Sequence, residues 1–93
     1  MSIMVQIYFP VAFPTLAAWA EKNGSLLAPI DELFKKHGRI SQRVITGKEE
    51  FIDLDEWPSR EAYAAFKTEA GPHIERFEQA FGHRSSDAIY DIL

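Results

Sequence analysis

The chain has 93 residues, 46% of them hydrophobic and 13% aromatic, with a formal net charge of −4. That length supports one domain, residues 1–93, with a modest core, and the apolar content is enough to fold it. The acidic balance, with no basic cluster beyond Lys35-Lys36, excludes a nucleic-acid footprint, the lack of cysteine excludes disulfides and thiolate chemistry, and no apolar run approaches membrane-spanning length.

Ile3 to Phe9 alternates with a period of two and predicts the first strand, with Ile3, Val5, Ile7 and Phe9 on one face and Met4, Gln6 and Tyr8 on the other. The first residues enter this strand with no basic region ahead of an apolar run, so a cytoplasmic location is expected. Leu16, Trp19, Ala20, Leu27, Ile30, Leu33 and Phe34 then follow the helical period, interrupted by Gly24-Ser25. Two helices on one face are expected, with Ser25 capping the second and Pro29 in its first turn. Lys35, Lys36 and His37 suit the negative end of that helix, and Gly38 ends it.

Ile40–Thr46 and Glu49–Trp57 read as the second and third strands, joined at Gly47-Lys48 by a two-residue type II′ turn. That loop length sets Val44 opposite Phe51, Gln42 opposite Asp53 and Ile40 opposite Asp55 on one face. On the other it sets Ile45 opposite Glu50, Arg43 opposite Ile52 and Ser41 opposite Leu54. Pro58 ends the strand and Ser59 caps a helix to about Ala70. Gly71-Pro72 is expected to break it, with a further helix running to Phe81, Gly82 closing that helix in the left-handed region, and Asp87–Leu93 forming the last strand. The order is β-α-β-β-α-β, an α+β, ferredoxin-like split βαβ fold with a four-stranded antiparallel sheet.

Helices cover one face of such a sheet. Both faces here carry large apolar side chains, so the uncovered face predicts pairing of two sheets into a homodimer. Val44 and Phe51 are the first choice for the partner-facing residues, ahead of Ile45 and Ile52.

The stretch Asp55-Glu56-Trp57-Pro58-Ser59-Arg60-Glu61-Ala62, a strand closed by Trp and followed by Ser-x-Glu-Ala, together with the later Pro72-His73-Ile74 step, resembles the antibiotic-biosynthesis-monooxygenase-like family. The resemblance implies a dimeric α/β barrel with a pocket in each subunit between sheet and helices. It also implies monooxygenase-like chemistry without metal or flavin. Phe66 stands where many members carry a His, and Gln6 where the haem-degrading relatives carry an Asn.

For an aromatic or polyketide-like substrate, such chemistry calls for a base, a donor to a developing enolate oxygen and an apolar enclosure. His73, placed after Pro72 at an expected helix start, is the candidate base. Tyr8 and Arg43 are candidate donors, and Arg43 is alternatively paired with Glu50. Trp57 is the candidate stacking platform, with Gln6, Asp53, Tyr63 and Phe66 as further substrate-binding candidates. The three His lack metal-ligand spacing, so no metal site is expected. No phosphate loop, nucleophile elbow or paired-carboxylate spacing stands out, so no cofactor is expected either. A non-catalytic dimer that binds a small molecule or a protein partner is the alternative function.

Overall fold

The computed structural model describes all 93 residues, Met1–Leu93. The elements are β1 (Ile3–Phe9), α1 (Phe13–Lys22), α2 (Gly24–Lys36), β2 (Ser41–Thr46), β3 (Phe51–Trp57), α3 (Arg60–Phe81) and β4 (Ser86–Asp91). The four strands form one antiparallel sheet in the order β2-β3-β1-β4, the ferredoxin-like arrangement that the alternating patterns predict. All three helices lie on one face.

That face takes Ile3, Val5 and Phe9 from β1 and Phe51 and Trp57 from β3, all buried. Helix α3 contributes Tyr63, Phe66, Ala70 and Phe77, and α2 contributes Ile30 and Leu33. The aromatic rings gather in two groups. Phe9, Phe13, Phe51, Phe77, Phe81 and Trp19 pack at one end of the core. Phe34, Trp57, Tyr63 and Phe66 pack at the other.

Three local expectations are corrected. The β2–β3 connection spans residues 47–50 rather than two residues, and Thr46 pairs with Phe51. Gly47 does not take the positive φ that a type II′ turn needs. Instead its N–H bonds the Glu50 carbonyl at 2.8 Å, and the Thr46 hydroxyl donates to the carbonyls of Gly47 and Glu50. The register therefore moves by two residues: Val44 faces Asp53, Gln42 faces Asp55, Arg43 faces Leu54 and Ile45 faces Ile52. An even shift leaves every side chain on its expected face. It places Glu50 in the loop, and the Arg43–Glu50 ion pair does not form.

Helix α3 runs unbroken through Gly71-Pro72. Its inward residues Tyr63, Phe66, Ala70, Ile74, Phe77 and Phe81 keep helical spacing across the site, so packing outweighs the lost Pro72 N–H. Pro72 is exposed, as is Thr68, whose carbonyl the proline leaves free to water. Ser59 caps the start, accepting the Ala62 N–H at 3.0 Å, and Gly82 ends the helix at φ 87°.

Helix α2 begins at Gly24 with Asn23 at its cap, so Ser25 lies inside it and Pro29 lies beyond its first turn. The Asn23 amide donates to the Trp19 carbonyl at 2.8 Å, closing the corner between α1 and α2.

The covered and open faces are also reassigned. Phe51 is 2% exposed beneath the helices, and Val44 shares its face. The open face carries Met4, Gln6 and Tyr8 from β1, Arg43 and Ile45 from β2, Ile52 and Leu54 from β3, and Tyr90 from β4. Tyr8, Ile45 and Tyr90 are among its exposed members. Ile45 and Ile52, not Val44 and Phe51, are thus the apolar pair that the helices leave uncovered. No helix is long and apolar enough to cross a membrane.

Candidate functional site

The inward face of β3 reads Phe51, Asp53, Asp55, Trp57. An aromatic residue joins each ring cluster, and two carboxyls stand between them. A cavity of about 190 Å³ occupies the gap between the sheet and the helices. Its walls are mostly apolar, with 13 of 20 lining residues hydrophobic, so water held there has few partners. Phe9, Phe13, Phe51 and Phe77 come from one cluster and Phe34, Tyr63 and Phe66 from the other, with Ile7 and Val44 on the sheet side. The polar lining is sparse: Asp53, Gln42, Asp31, Lys67, Glu78, Ser85 and Asp87.

Two polar groupings border this space. Tyr63 donates its hydroxyl to Asp87 Oδ2 at 2.5 Å, and Lys67 Nζ reaches the same oxygen at 3.3 Å. Burial alone would raise the Asp87 carboxyl, but the Tyr63 hydroxyl and the Lys67 ammonium outweigh it and hold it below the ordinary range. Burial, with the neighbouring Asp87 carboxylate, pushes the Tyr63 phenol well above its usual value. Tyr63 therefore stays a neutral hydrogen-bond donor.

The second grouping is Asp53 with Asp55, two residues apart on one strand face and hence roughly 7 Å apart along the chain. Asp55 is fully enclosed and Asp53 is 9% exposed. Arg39, stacked 3.8 Å over the Phe34 ring, approaches Asp55 Oδ1 at 3.5 Å. Burial first, then the adjacent Asp53 carboxylate, pushes the Asp55 carboxyl up to about 8, despite Arg39. The Asp-x-Asp spacing on an inward strand face was legible in the alternation of Phe51 to Trp57. The expectation of no paired-carboxylate spacing is corrected accordingly, because two carboxyls at i and i+2 on a strand point the same way.

The structure divides the sequence candidates into three sets. Asp53, Tyr63 and Phe66 line the cavity. Tyr8, Gln6 and Arg43 stand on the opposite, open face of the sheet. Arg43 borders a second concavity of about 320 Å³ with Met4, Ser41, Gln42 and Leu54, walled by only these five residues.

His73 lies in the middle of α3, outside the cavity lining, with Arg76 Nη1 at 3.4 Å from its Nδ1. The helix start expected at His73 does not exist, since α3 runs through Pro72 without a break. Trp57 is wholly buried against Phe34, Tyr63 and Phe66, and no face of its indole is free for a ligand. It acts on the site indirectly, by setting the cluster that walls it. No group of three or more His, Asp or Glu side chains is arranged to hold a metal ion.

The architecture is that of an α+β, ferredoxin-like protein with a small apolar cavity under its helices. Solved structures share it. A variant of SnoaB, a cofactor-independent oxygenase from Streptomyces nogalater, superposes with a TM-score of 0.68 at 13% identity, over 98% of this chain and 92% of that one. Rv0793 from Mycobacterium tuberculosis superposes with a TM-score of 0.63 at 14% identity, over 100% of this chain and 96% of that one. In fold the chain thus matches what its resemblance to antibiotic-biosynthesis-monooxygenase-like proteins implies. No protein-family model and no curated protein sequence matches it.

Proposed function

We propose that the cavity binds a small aromatic molecule and that the protein is a cofactor-independent, monooxygenase-like enzyme working as a homodimer. The observation that carries this reading is the apolar pocket itself, walled by rings from two clusters. The fold shared with SnoaB, an oxygenase of that kind, supports the reaction class.

The volume says what fits inside. An engineered cavity of about 150 Å³ takes benzene, so about 190 Å³ has room for one ring or a compact fused pair. In such a reaction the substrate loses a proton and its own electrons reduce O₂. On a phenol-type ring, a ring C–H and the O–H are lost as two C=O groups form, one oxygen atom of O₂ stays in the product, and the other leaves as water.

The homodimer rests on the open face. Ile45, 49% exposed, stands opposite Ile52, with Tyr8 next in that row on β1, and Tyr90, 53% exposed, stands opposite Met4 at the β4 edge, apolar surface that a second sheet would cover. A non-catalytic, small-molecule-binding dimer is the second reading. It is favoured by the position of His73, Tyr8 and Arg43, none of which lines the cavity.

The test takes purified protein through a thermal-shift and mass-spectrometric screen of one- and two-ring arenes, then measures O₂ consumption with those that bind. Ligand-dependent stabilisation with O₂ uptake supports the enzyme. Stabilisation without uptake gives the binding protein, and no stabilisation by any arene removes the cavity from consideration.

A further inference from the structure

We propose that Asp53 and Asp55 act as one unit, a pair of carboxyls sharing a single proton, which selects neutral, hydrogen-bond-donating aromatic ligands such as phenols over aromatic acids. The proposal rests on the reading of the cavity as a ligand site and names the atoms that recognise the ligand.

The geometry begins with two orphaned oxygens. Asp53 Oδ1 and Asp55 Oδ2 are both sealed from solvent, and neither has a hydrogen-bond partner. Leaving two such acceptors bare is unfavourable, and more so when they are charged. A proton held between neighbouring carboxyls on the same strand face satisfies both at once. Like charges so placed do not ionise together, which favours the one-proton state. The high affinity of Asp55 for its proton agrees with this.

Asp53 is the member that reaches the cavity. Its Oδ1 is closed off, so its small residual exposure belongs to its other atoms. Asp53 thus offers its remaining polar surface to a ligand, while its sealed Oδ1 is the atom that the shared proton would satisfy. It sits between the ring clusters, so an arene stacked there brings a ring substituent toward it.

The surrounding charge decides which substituent. With one proton the pair carries a single negative charge, opposed by Arg39 from the α2–β2 connection. Asp87 on β4 is opposed by Lys67 on α3, and Tyr63 stays neutral. Glu78 on α3 accepts from Ser85 at 2.5 Å. Asp31 on α2 also lines the cavity, and neither it nor Glu78 has a cation partner, so the lining is net negative and a carboxylate ligand would meet Asp53 with no free cation to receive it. A neutral hydroxyl donates to Asp53 instead.

Three probes of similar size separate the possibilities: phenol donates a hydrogen bond, toluene does not, and benzoate is an anion. Calorimetric titration at pH 7 should give phenol an affinity about tenfold or more above both others, because a site built around a polar group discriminates against a ligand that leaves it unpaired. Asp53→Ala should bring phenol and toluene together. Asp55→Asn should keep the phenol preference, since its amide donates to Asp53 as the shared proton does.

Carbon-13 NMR titration of aspartate-labelled protein should show a linked carboxyl transition near pH 8 that Asp55→Asn abolishes. The probe comparison and the titration of the unmodified chain do not depend on any variant folding. Toluene binding as tightly as phenol, or no aspartate titrating between pH 6 and 10, overturns the proposal and leaves the cavity reading intact. Failure of both phenol and toluene to bind at millimolar concentration overturns the two together.

Discussion

Tyr63 and Asp87 join helix α3 to the edge strand β4 through a 2.5 Å hydrogen bond at the rim of the cavity. Tyr63→Phe keeps the ring and removes the donor. The Asp87 side chain is one-third exposed and retains Lys67, so the expected cost is about 1 kcal/mol. Because the Asp87 carboxyl is held below its ordinary range, its contribution is present above the unfolded value near 4 and is lost as pH falls through the folded value. Urea unfolding should therefore separate wild type from Tyr63→Phe at pH 6 and bring them closer at pH 3.

Asp55 has the opposite sign. Its folded carboxyl holds a proton up to about pH 8 whereas an unfolded aspartate gives it up near 4. Between those values the folded state binds more protons than the unfolded state, so this group makes stability fall as pH rises and leaves it level above 8. Asp55→Asn should remove that slope and be more stable than wild type at pH 8–9. Midpoints of urea unfolding from pH 4 to 9 measure it; parallel curves for the two proteins would show that Asp55 is ionised throughout.

Phe66 and Trp57, two of the four rings in the second cluster, should differ sharply. Phe66→Ala empties a site that is 1% exposed and in contact with four rings, and is expected to cost about 3–5 kcal/mol. Trp57→Phe loses ring volume but also removes a buried indole N–H that has no acceptor. These effects oppose one another, so the expected loss is below about 2 kcal/mol. Denaturant midpoints for both variants test the order.

Charge placed on the open face should break assembly without breaking the fold. Ile45→Asp is expected to turn the proposed dimer into a folded monomer by sedimentation velocity, with unchanged far-ultraviolet dichroism. Phe51→Asp, on the covered face, is expected to unfold the chain, since it drives an unpaired charge into the core. A wild-type protein that sediments as a stable monomer at micromolar concentration would remove the homodimer.

Much of the fold was legible because its signals are local and redundant. Alternation over Ile3–Phe9 and Phe51–Trp57 fixed which side chains share a face, and Ser59 and Gly82 marked the ends of α3 by their own backbone chemistry. What failed depended on contacts remote in sequence. Gly71-Pro72 looks like a break until the unbroken spacing from Tyr63 to Phe81 is packed against the sheet. His73 then loses its supposed helix start, and with it the reason for choosing it. The site was visible only in part. Asp53, Tyr63 and Phe66 were selected, but Asp55 was passed over because a charged residue in a strand reads as solvent-facing until its neighbours are seen to be core.

The 47–50 connection has a further consequence. Strands have a grammar of period two, and the hairpin behaves like a reading frame with that step. Adding or removing two residues at the loop slides β2 along β3 while Val44 stays over the cavity and Ile45 stays on the open face. Adding or removing one would exchange them, turning Arg43 inward and exposing Val44. Length variation at this turn should thus be tolerated in pairs and rejected singly, because a single-residue change would disturb the cavity wall and the open face together.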